Sequence, residues 1–454
     1  MKSTTFAAVI GALTVSAAAS PSPTKRATSL TPITVKGNAF FAGDKRFYIR
    51  GVDYQPGGAS NPVDPIADAT SCKRDIAEFT KLGINTVRVY TVDNTANHDE
   101  CMNALAAAGI YLALDVNTPK YSLNRAAPEV SYNKVYLQNV FATIDKFSTY
   151  DNTLLFFSGN EVINDDATTS AAPYVKATTR DMKSYINARG YRSIPVGYSA
   201  ADVDSNRFEM AQYMNCGPDS VRSDFFAFND YSWCDPSSFT TSGWSQKVAT
   251  FSNYSIPLFL SEYGCNTNTR KFEEVKSLYS TDMTSVYSGG LVYEYSEEGT
   301  KYGLVTISGN SVKEGADFAA LQSALAGTPA PSGDGGYQSN LSASACPSES
   351  KTWNVTISAD QLPAFPDGAS TYLKSGAGAG VGLTGAGSQT SGTKSTTLAS
   401  AGAGAVTSGA SAASAGASKT AGASTFGPGE FSFAPLVCGL VVLVSSLFGG
   451  ALVL

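Results

Sequence analysis

Between Arg46 and Ala326 short apolar runs alternate with stretches of helical period. Arg46 to Tyr54, Ile84 to Tyr90, Tyr111 to Asn117, Leu154 to Glu161, Ile194 to Ser199, Asp224 to Tyr231, Leu258 to Tyr263 and Gly290 to Tyr295 read as strands, bounded by polar and Gly-rich turns. Cys72 to Leu82, Ala172 to Ala188 and Phe272 to Tyr287 carry the spacing of helices between them. Eight such units in one row predict an α/β fold, a closed (β/α)8 TIM barrel rather than a doubly wound sheet. Ahead of them Ile33 to Phe47, with turn signals at Lys36-Gly37-Asn38 and Gly43-Asp44-Lys45, predicts a small hairpin capping the barrel bottom.

After Ala326 the alternation lapses. Residues 20–330 are assigned to the barrel, 331–372 to an irregular extension folding back on it, and 373–424 to a flexible linker. From Ser375 to Ser424 the chain is almost pure Gly, Ala, Ser and Thr, a composition that cannot bury a core and predicts an extended stalk. The two ends differ again. Met1-Lys2, the apolar stretch Phe6 to Val15 and Ala17-Ala18-Ala19 have the order of a secretory signal, placed at residues 1–19. Phe431 to Leu454 is almost wholly apolar, and small residues precede it by a short spacer. That is the pattern of a glycolipid (GPI) anchor signal, with attachment at Gly422 and residues 425–454 removed. A single-pass membrane helix is the alternative; it is disfavoured because no basic residue follows the tail.

Export changes the reading of the seven cysteines. Cys438 leaves with the tail, so Cys72, Cys101, Cys216, Cys234, Cys265 and Cys346 remain, an even set in an oxidising compartment and the natural material of three disulfides. No CxxC spacing occurs and His98 is the one histidine, which disfavours zinc and His-dependent nucleophilic enzymes; a polar helix start is the expected role of His98. Net charge is -6 with no Lys/Arg cluster, which excludes nucleic acid as a partner. Asn253, Asn340 and Asn354 open N-glycosylation sequons.

Two of the apolar runs end in a glutamate, Glu161 on the fourth and Glu262 on the seventh. Parallel barrels present catalytic groups at the C-terminal ends of their strands, and paired carboxylates are the equipment of glycoside hydrolysis. Asn160 stands beside Glu161 as a candidate donor to a sugar 2-hydroxyl. Taken singly, each glutamate is better explained as one more solvated acid; for the pair, strand position and the Asn-Glu dipeptide reverse that and favour the catalytic reading. Tyr54, Tyr90, Tyr231, Tyr263, Tyr293, Tyr295 and Tyr302 crowd the same ends, offering apolar faces and hydroxyls to sugar rings or, equally, packing. Arg88, Asp53, Asp115, Asp230 and Glu294 are candidates to orient the glutamates or bind hydroxyls, or members of structural ion pairs.

Gly51-Val52-Asp53-Tyr54-Gln55-Pro56-Gly57-Gly58, Asp115-Val116-Asn117-Thr118-Pro119, Ser158-Gly159-Asn160-Glu161-Val162, Asn229-Asp230-Tyr231-Ser232-Trp233-Cys234 and Leu260-Ser261-Glu262-Tyr263-Gly264-Cys265 closely resemble the fungal β-1,3-glucanosyltransferases of glycoside hydrolase family 72. The resemblance implies Glu161 as acid/base, Glu262 as nucleophile, and Gln55, Tyr90, Asp115, Asn160, Tyr231, Tyr293 and Tyr302 as glucan-binding residues. It also implies the pairings Cys72 with Cys101, Cys216 with Cys346 and Cys234 with Cys265. Longer members carry a cysteine-rich carbohydrate-binding module after the barrel; here only Cys346 lies there, as in a module-free subgroup. The resulting expectation is a monomeric cell-wall enzyme, anchored outside the plasma membrane, that needs no cofactor or metal and transfers β-1,3-glucan between chains. A hydrolytic β-1,3-glucanase and a non-catalytic wall glycoprotein are the rivals.

Overall fold

The computed structural model describes residues 30–401, apart from Thr393 and Ser395. The signal at 1–19, Gly422 and the apolar tail with Cys438 lie outside the described residues. Among the described residues no helix is long and apolar enough to cross a membrane.

Ile33–Lys36 (β1), Ala39–Ala42 (β2) and Lys45–Phe47 (β3) form an antiparallel meander, one strand more than the expected hairpin. The next eight strands are Ile49–Asp53 (β4), Thr86–Val89 (β5), Tyr111–Asp115 (β6), Thr153–Asn160 (β7), Val196–Ala200 (β8), Phe225–Asp230 (β9), Leu258–Tyr263 (β10) and Tyr287–Val292 (β11). They close in sequence order, all parallel, with β11 pairing β4. Helices follow each strand in turn, at Ala69–Leu82, Asp99–Ala107, Lys134–Phe147, Ala172–Ala188, Arg207–Met214, Trp244–Phe251, Glu274–Leu278 and Ala316–Gly327. The fold is the predicted (β/α)8 barrel.

Local chemistry accounts for the boundaries. Asp68 caps the first barrel helix by accepting from the Thr70 and Ser71 amides, and Gly83 ends it at φ 72°, a left-handed geometry that needs no Cβ. The predicted helix over Phe272 to Tyr287 shortens to Glu274–Leu278. Val275 and Leu278 satisfy the helical period, but the Ser280 hydroxyl accepts from the Asp282 amide and turns the chain, and Tyr287 already belongs to β11.

Alternation along the strands divides the core in two. Inward-facing Ala113, Leu155, Phe157, Phe225 and Phe259 fill the lower barrel together with Ile33, Phe40 and Phe47 of the meander. The Phe40 ring lies 5.9 Å from that of Phe259 and 6.2 Å from that of Phe225, so the meander plugs the bottom of the barrel. Apolar filling stops below the mouth, where the inward positions become charged.

Cys216–Cys346 ties the extension to the barrel across 130 residues, and Cys72–Cys101 and Cys234–Cys265 close two shorter loops. Trp353 is fully buried against Tyr213, with ring centroids 5.6 Å apart. The flexible linker assigned from residue 373 is corrected over its described part. The Ala377 amide donates to Tyr185 Oη at 2.9 Å, the Gly382 amide to Asn94 Oδ1 at 3.0 Å, and Leu398–Ser400 pairs antiparallel with Gln361–Pro363. The segment has no core of its own, as composition says. Its small residues instead bring the backbone close enough for barrel side chains to bond it directly.

Candidate active site

Strand periodicity aims Asp53, Arg88, Asp115 and Glu262 into the barrel mouth, while the residue after each faces the helices. That rule sorts the tyrosines. Tyr54 and Tyr295 are buried in the helix layer, donating to the two Asp75 oxygens at 2.6 and 2.9 Å, and Tyr263 is buried as well. These three are packing residues. Tyr90, Tyr231, Tyr293 and Tyr302 are half-buried at the mouth.

Glu262 is 7% exposed. Its Oε1 accepts from Tyr90 Oη at 2.8 Å and lies 3.4 Å from Arg88 Nη1, and its Oε2 accepts from Tyr231 Oη at 2.6 Å. Burial and the facing Glu161 push the Glu262 carboxyl up to about 7, against the opposing pull of Arg88 and the two hydroxyls. Three donors aimed at one carboxylate favour its charged form. Arg88 is fully buried, its Nε donating to Asp115 Oδ2 at 2.9 Å and its plane lying 4.1 Å from the Tyr90 ring centre.

Glu161 is held differently. It sits at φ 48°, left-handed for a residue with a Cβ, just past a register shift between β7 and β8. Both its peptide groups are clamped: its amide donates to Ser199 O at 2.9 Å, and its carbonyl accepts from Arg125 Nη2 at 2.6 Å. Asn229 Nδ2 donates to Glu161 Oε1 at 2.8 Å. Ser261 Oγ donates to Asn229 Oδ1 at 2.9 Å, and Ser199 Oγ lies 2.8 Å from Ser261 Oγ and 2.7 Å from Asn160 Oδ1. The chain of groups beneath the mouth therefore links Asn160 to the carboxyl of Glu161. Arg125, Asn229, Ser199 and Ser261 were not singled out from sequence; Asn229 and Ser261 lay within quoted motifs, and the other two gave no signal.

On one side of the pair a cavity of about 490 Å3 is walled by Gln55, Tyr90, Asp115, Asn117 and Asn160, among others. On the other, Tyr231, Tyr293 and Tyr302 meet edge to face, with centroids 5.3 to 6.4 Å apart. Asp230 turns away to Lys247 Nζ at 2.7 Å, and Glu294 accepts from Thr300 Oγ1 at 3.0 Å. Asp53 is fully buried, and among the described residues its carboxyl oxygens have no hydrogen-bond partner. His98, expected at a helix start, precedes the Asp99–Ala107 helix and is bonded to Asp64 at 2.7 Å. Among the described residues no cluster has the makings of a metal site.

A parallel barrel with a buried, donor-rich carboxylate on its seventh strand and a second glutamate after its fourth defines an enzyme of the glycoside hydrolase type. The glucanosyltransferase family, glycoside hydrolase family 72, matches residues 22–329. The 1,3-beta-glucanosyltransferase gel1 of Aspergillus fumigatus is 67% identical over 382 residues, 84% of this chain and 83% of its own. GAS5 of Saccharomyces cerevisiae, with the same activity in its name, is 53% identical, covering 84% and 78%. Among solved structures, Saccharomyces cerevisiae Gas2p in complex with laminaritetraose and laminaripentaose superposes with a TM-score of 0.69 at 39% identity, covering 75% of this chain and 76% of that one. The chain belongs to glycoside hydrolase family 72.

Proposed function

We propose that this chain is a retaining β-1,3-glucanosyltransferase that splits one β-1,3-glucan chain internally and joins the new reducing end to the non-reducing end of another. The observation that carries the reading is the asymmetry of the carboxyl pair: three donors converge on Glu262, one amide on Glu161. In the first step a Glu262 oxygen bonds to the anomeric carbon, and the glycosidic bond breaks as Glu161 gives its proton to the leaving oxygen. In the second, an acceptor hydroxyl attacks that carbon, Glu161 takes the hydroxyl proton, and Glu262 departs as the carboxylate; two inversions retain the β linkage. The cavity of Gln55, Tyr90, Asp115 and Asn160 and the rim of Tyr231, Tyr293 and Tyr302 hold sugar units on either side of the cleavage point. Asp115 serves the site twice, on the cavity wall and as the partner that fixes Arg88.

The same reading places the protein outside the cell, exported by residues 1–19, anchored through Gly422 and acting at the cell wall. The three disulfides suit that compartment, and Asn253, Asn340 and Asn354 are all exposed to a glycosylating enzyme. Incubation with a reduced β-1,3-gluco-oligosaccharide, followed by sizing, tests the function. Products longer than the substrate are expected. Shorter products alone would make the enzyme a hydrolase. Glu161→Gln and Glu262→Gln are each expected to lower turnover by several orders of magnitude with folding intact, and near-normal turnover in either would remove that residue from the mechanism.

A further inference from the structure

The segment that composition assigns to a stalk comes up beside the sugar cavity. The side chain of Gln389 forms part of the wall that also contains Asp115, Asn117 and Asn160. Its Nε2 donates to Pro119 O at 3.1 Å and to Ser122 Oγ at 2.7 Å, so it is fastened to the loop that follows β6. Three further bonds hold the same turn. The Gly387 amide donates to Tyr121 Oη at 3.2 Å, the Ser388 amide to Lys120 O at 2.9 Å, and Asn133 Nδ2 to Ser388 O at 2.8 Å. Asn133 is itself 8% exposed and caps the helix Lys134–Phe147 through its other amide atom, so the anchor is built into the barrel. Gly385 lies so close to Tyr121 that a Cβ there would overlap the phenol oxygen. The loop gripped in this way, residues 117–125, carries Arg125, whose guanidinium holds the carbonyl of Glu161.

We propose that residues 385–389 are part of the glucan-binding groove: Gln389 forms a sugar subsite on the Asp115 side of the catalytic pair, and the turn around it is a positioning element for the 117–125 loop. The ligand class is a β-1,3-linked glucosyl unit of a chain long enough to reach this wall. A half-buried amide fixed at its nitrogen is suited to this, because its orientation is set before sugar arrives and little side-chain entropy is lost on binding. The chain beyond the barrel thus supplies binding surface to the enzyme.

The inference rests on the functional reading above, and one experiment separates the two. Full-length wild type, Gln389→Ala and Gly385→Ala are compared for kcat and KM on β-1,3-gluco-oligosaccharides of increasing length, with melting recorded for each. Gln389→Ala is expected to raise KM roughly three- to tenfold, the range one hydrogen bond commands, for the longer oligosaccharides and not for the shortest, with kcat changed less and melting unchanged. Gly385→Ala, which pushes the turn off Tyr121, is expected to shift the length dependence in the same direction; if it does not fold, Gln389→Ala decides alone. Unchanged KM at every length overturns the proposal, as does a rise equal at all lengths with lowered melting, which marks a structural role only. Wild type that leaves the oligosaccharides untouched overturns the functional reading and this inference with it.

Discussion

Asn229 and Arg125 do for Glu161 what Arg88 and two tyrosines do for Glu262, but through different atoms. Arg125 and the Ser199 carbonyl hold the backbone of a residue whose left-handed φ of 48° would otherwise cost on the order of 1 kcal/mol or more. Asn229 fixes the carboxyl itself, and its amide is oriented by Ser261. Asn229→Ala removes that one donor and leaves Glu161 in place. The expected loss is about ten- to a hundredfold in kcat, as for a hydrogen bond to a charged group, with KM changed far less. Steady-state kinetics of the purified variant check it; a kcat within twofold of wild type would show that Asn229 does not set the carboxyl geometry. Sequence offered Asn229 only as part of a motif, because its role depends on the neighbouring strand, not on its own.

Elements meet at the mouth in an unequal way. The segment after β9 delivers Tyr231, the segment after β11 delivers Tyr293, and Tyr302 comes from the loop beyond, so three separate pieces of chain build one aromatic face beside Glu262. Transfer requires a sugar hydroxyl to displace water present at ~55 M, and positioning alone can supply effective molarities of roughly 10⁵ M or more. We propose that the tyrosine face holds an acceptor in that position. Of the changes Tyr231→Ala, Tyr293→Ala and Tyr302→Ala, at least one is expected to lower transfer more than hydrolysis, scored as the ratio of longer to shorter products. Equal losses of both in all three variants would sink the assignment. Tyr231 also donates to Glu262, so its variant is expected to lose turnover in addition, whereas Tyr302→Ala is the cleaner measure of acceptor hold.

Over the whole molecule, buried acids couple stability to pH. Desolvation first, and then neighbouring charge, raises Glu262 and Glu294 to about 7, while burial raises Glu274 to about 8. In the unfolded chain each would lose its proton near the ordinary glutamate value of about 4.3. Between about pH 5 and 7 the folded state therefore binds more protons than the unfolded one, and stability falls as pH rises. Asp68 and Glu314 are held low by hydrogen bonds and act only below that window; Lys176, pushed down to about 7 by burial, acts in the opposite sense only above it. The melting temperature is expected to be higher at pH 5 than at pH 7. Glu274 lies outside the catalytic pair and its Oε2 has no partner among the described residues, so Glu274→Gln is expected to flatten the decline; a decline of unchanged slope in that variant would discharge Glu274 from the effect.

The sequence by itself determined the barrel, because eight apolar runs spaced by helices have one low-cost way to bury their faces, and strand ends ending in glutamate mark the functional rim. Glu161 and Glu262, each carried by a motif, and Arg88, near the end of its strand, were legible there since their chemistry and strand position coincide. Tertiary structure decided which tyrosines reach the mouth: Tyr54 and Tyr295 look like rim residues until the pleat turns them onto Asp75. It also decided the fate of the Gly/Ala/Ser stretch. Composition correctly reports that such a segment cannot make a core; whether its backbone finds donors and acceptors on another surface is set by Tyr121, Asn133, Asn94 and Tyr185, residues more than 190 positions away whose proximity only the closed barrel creates.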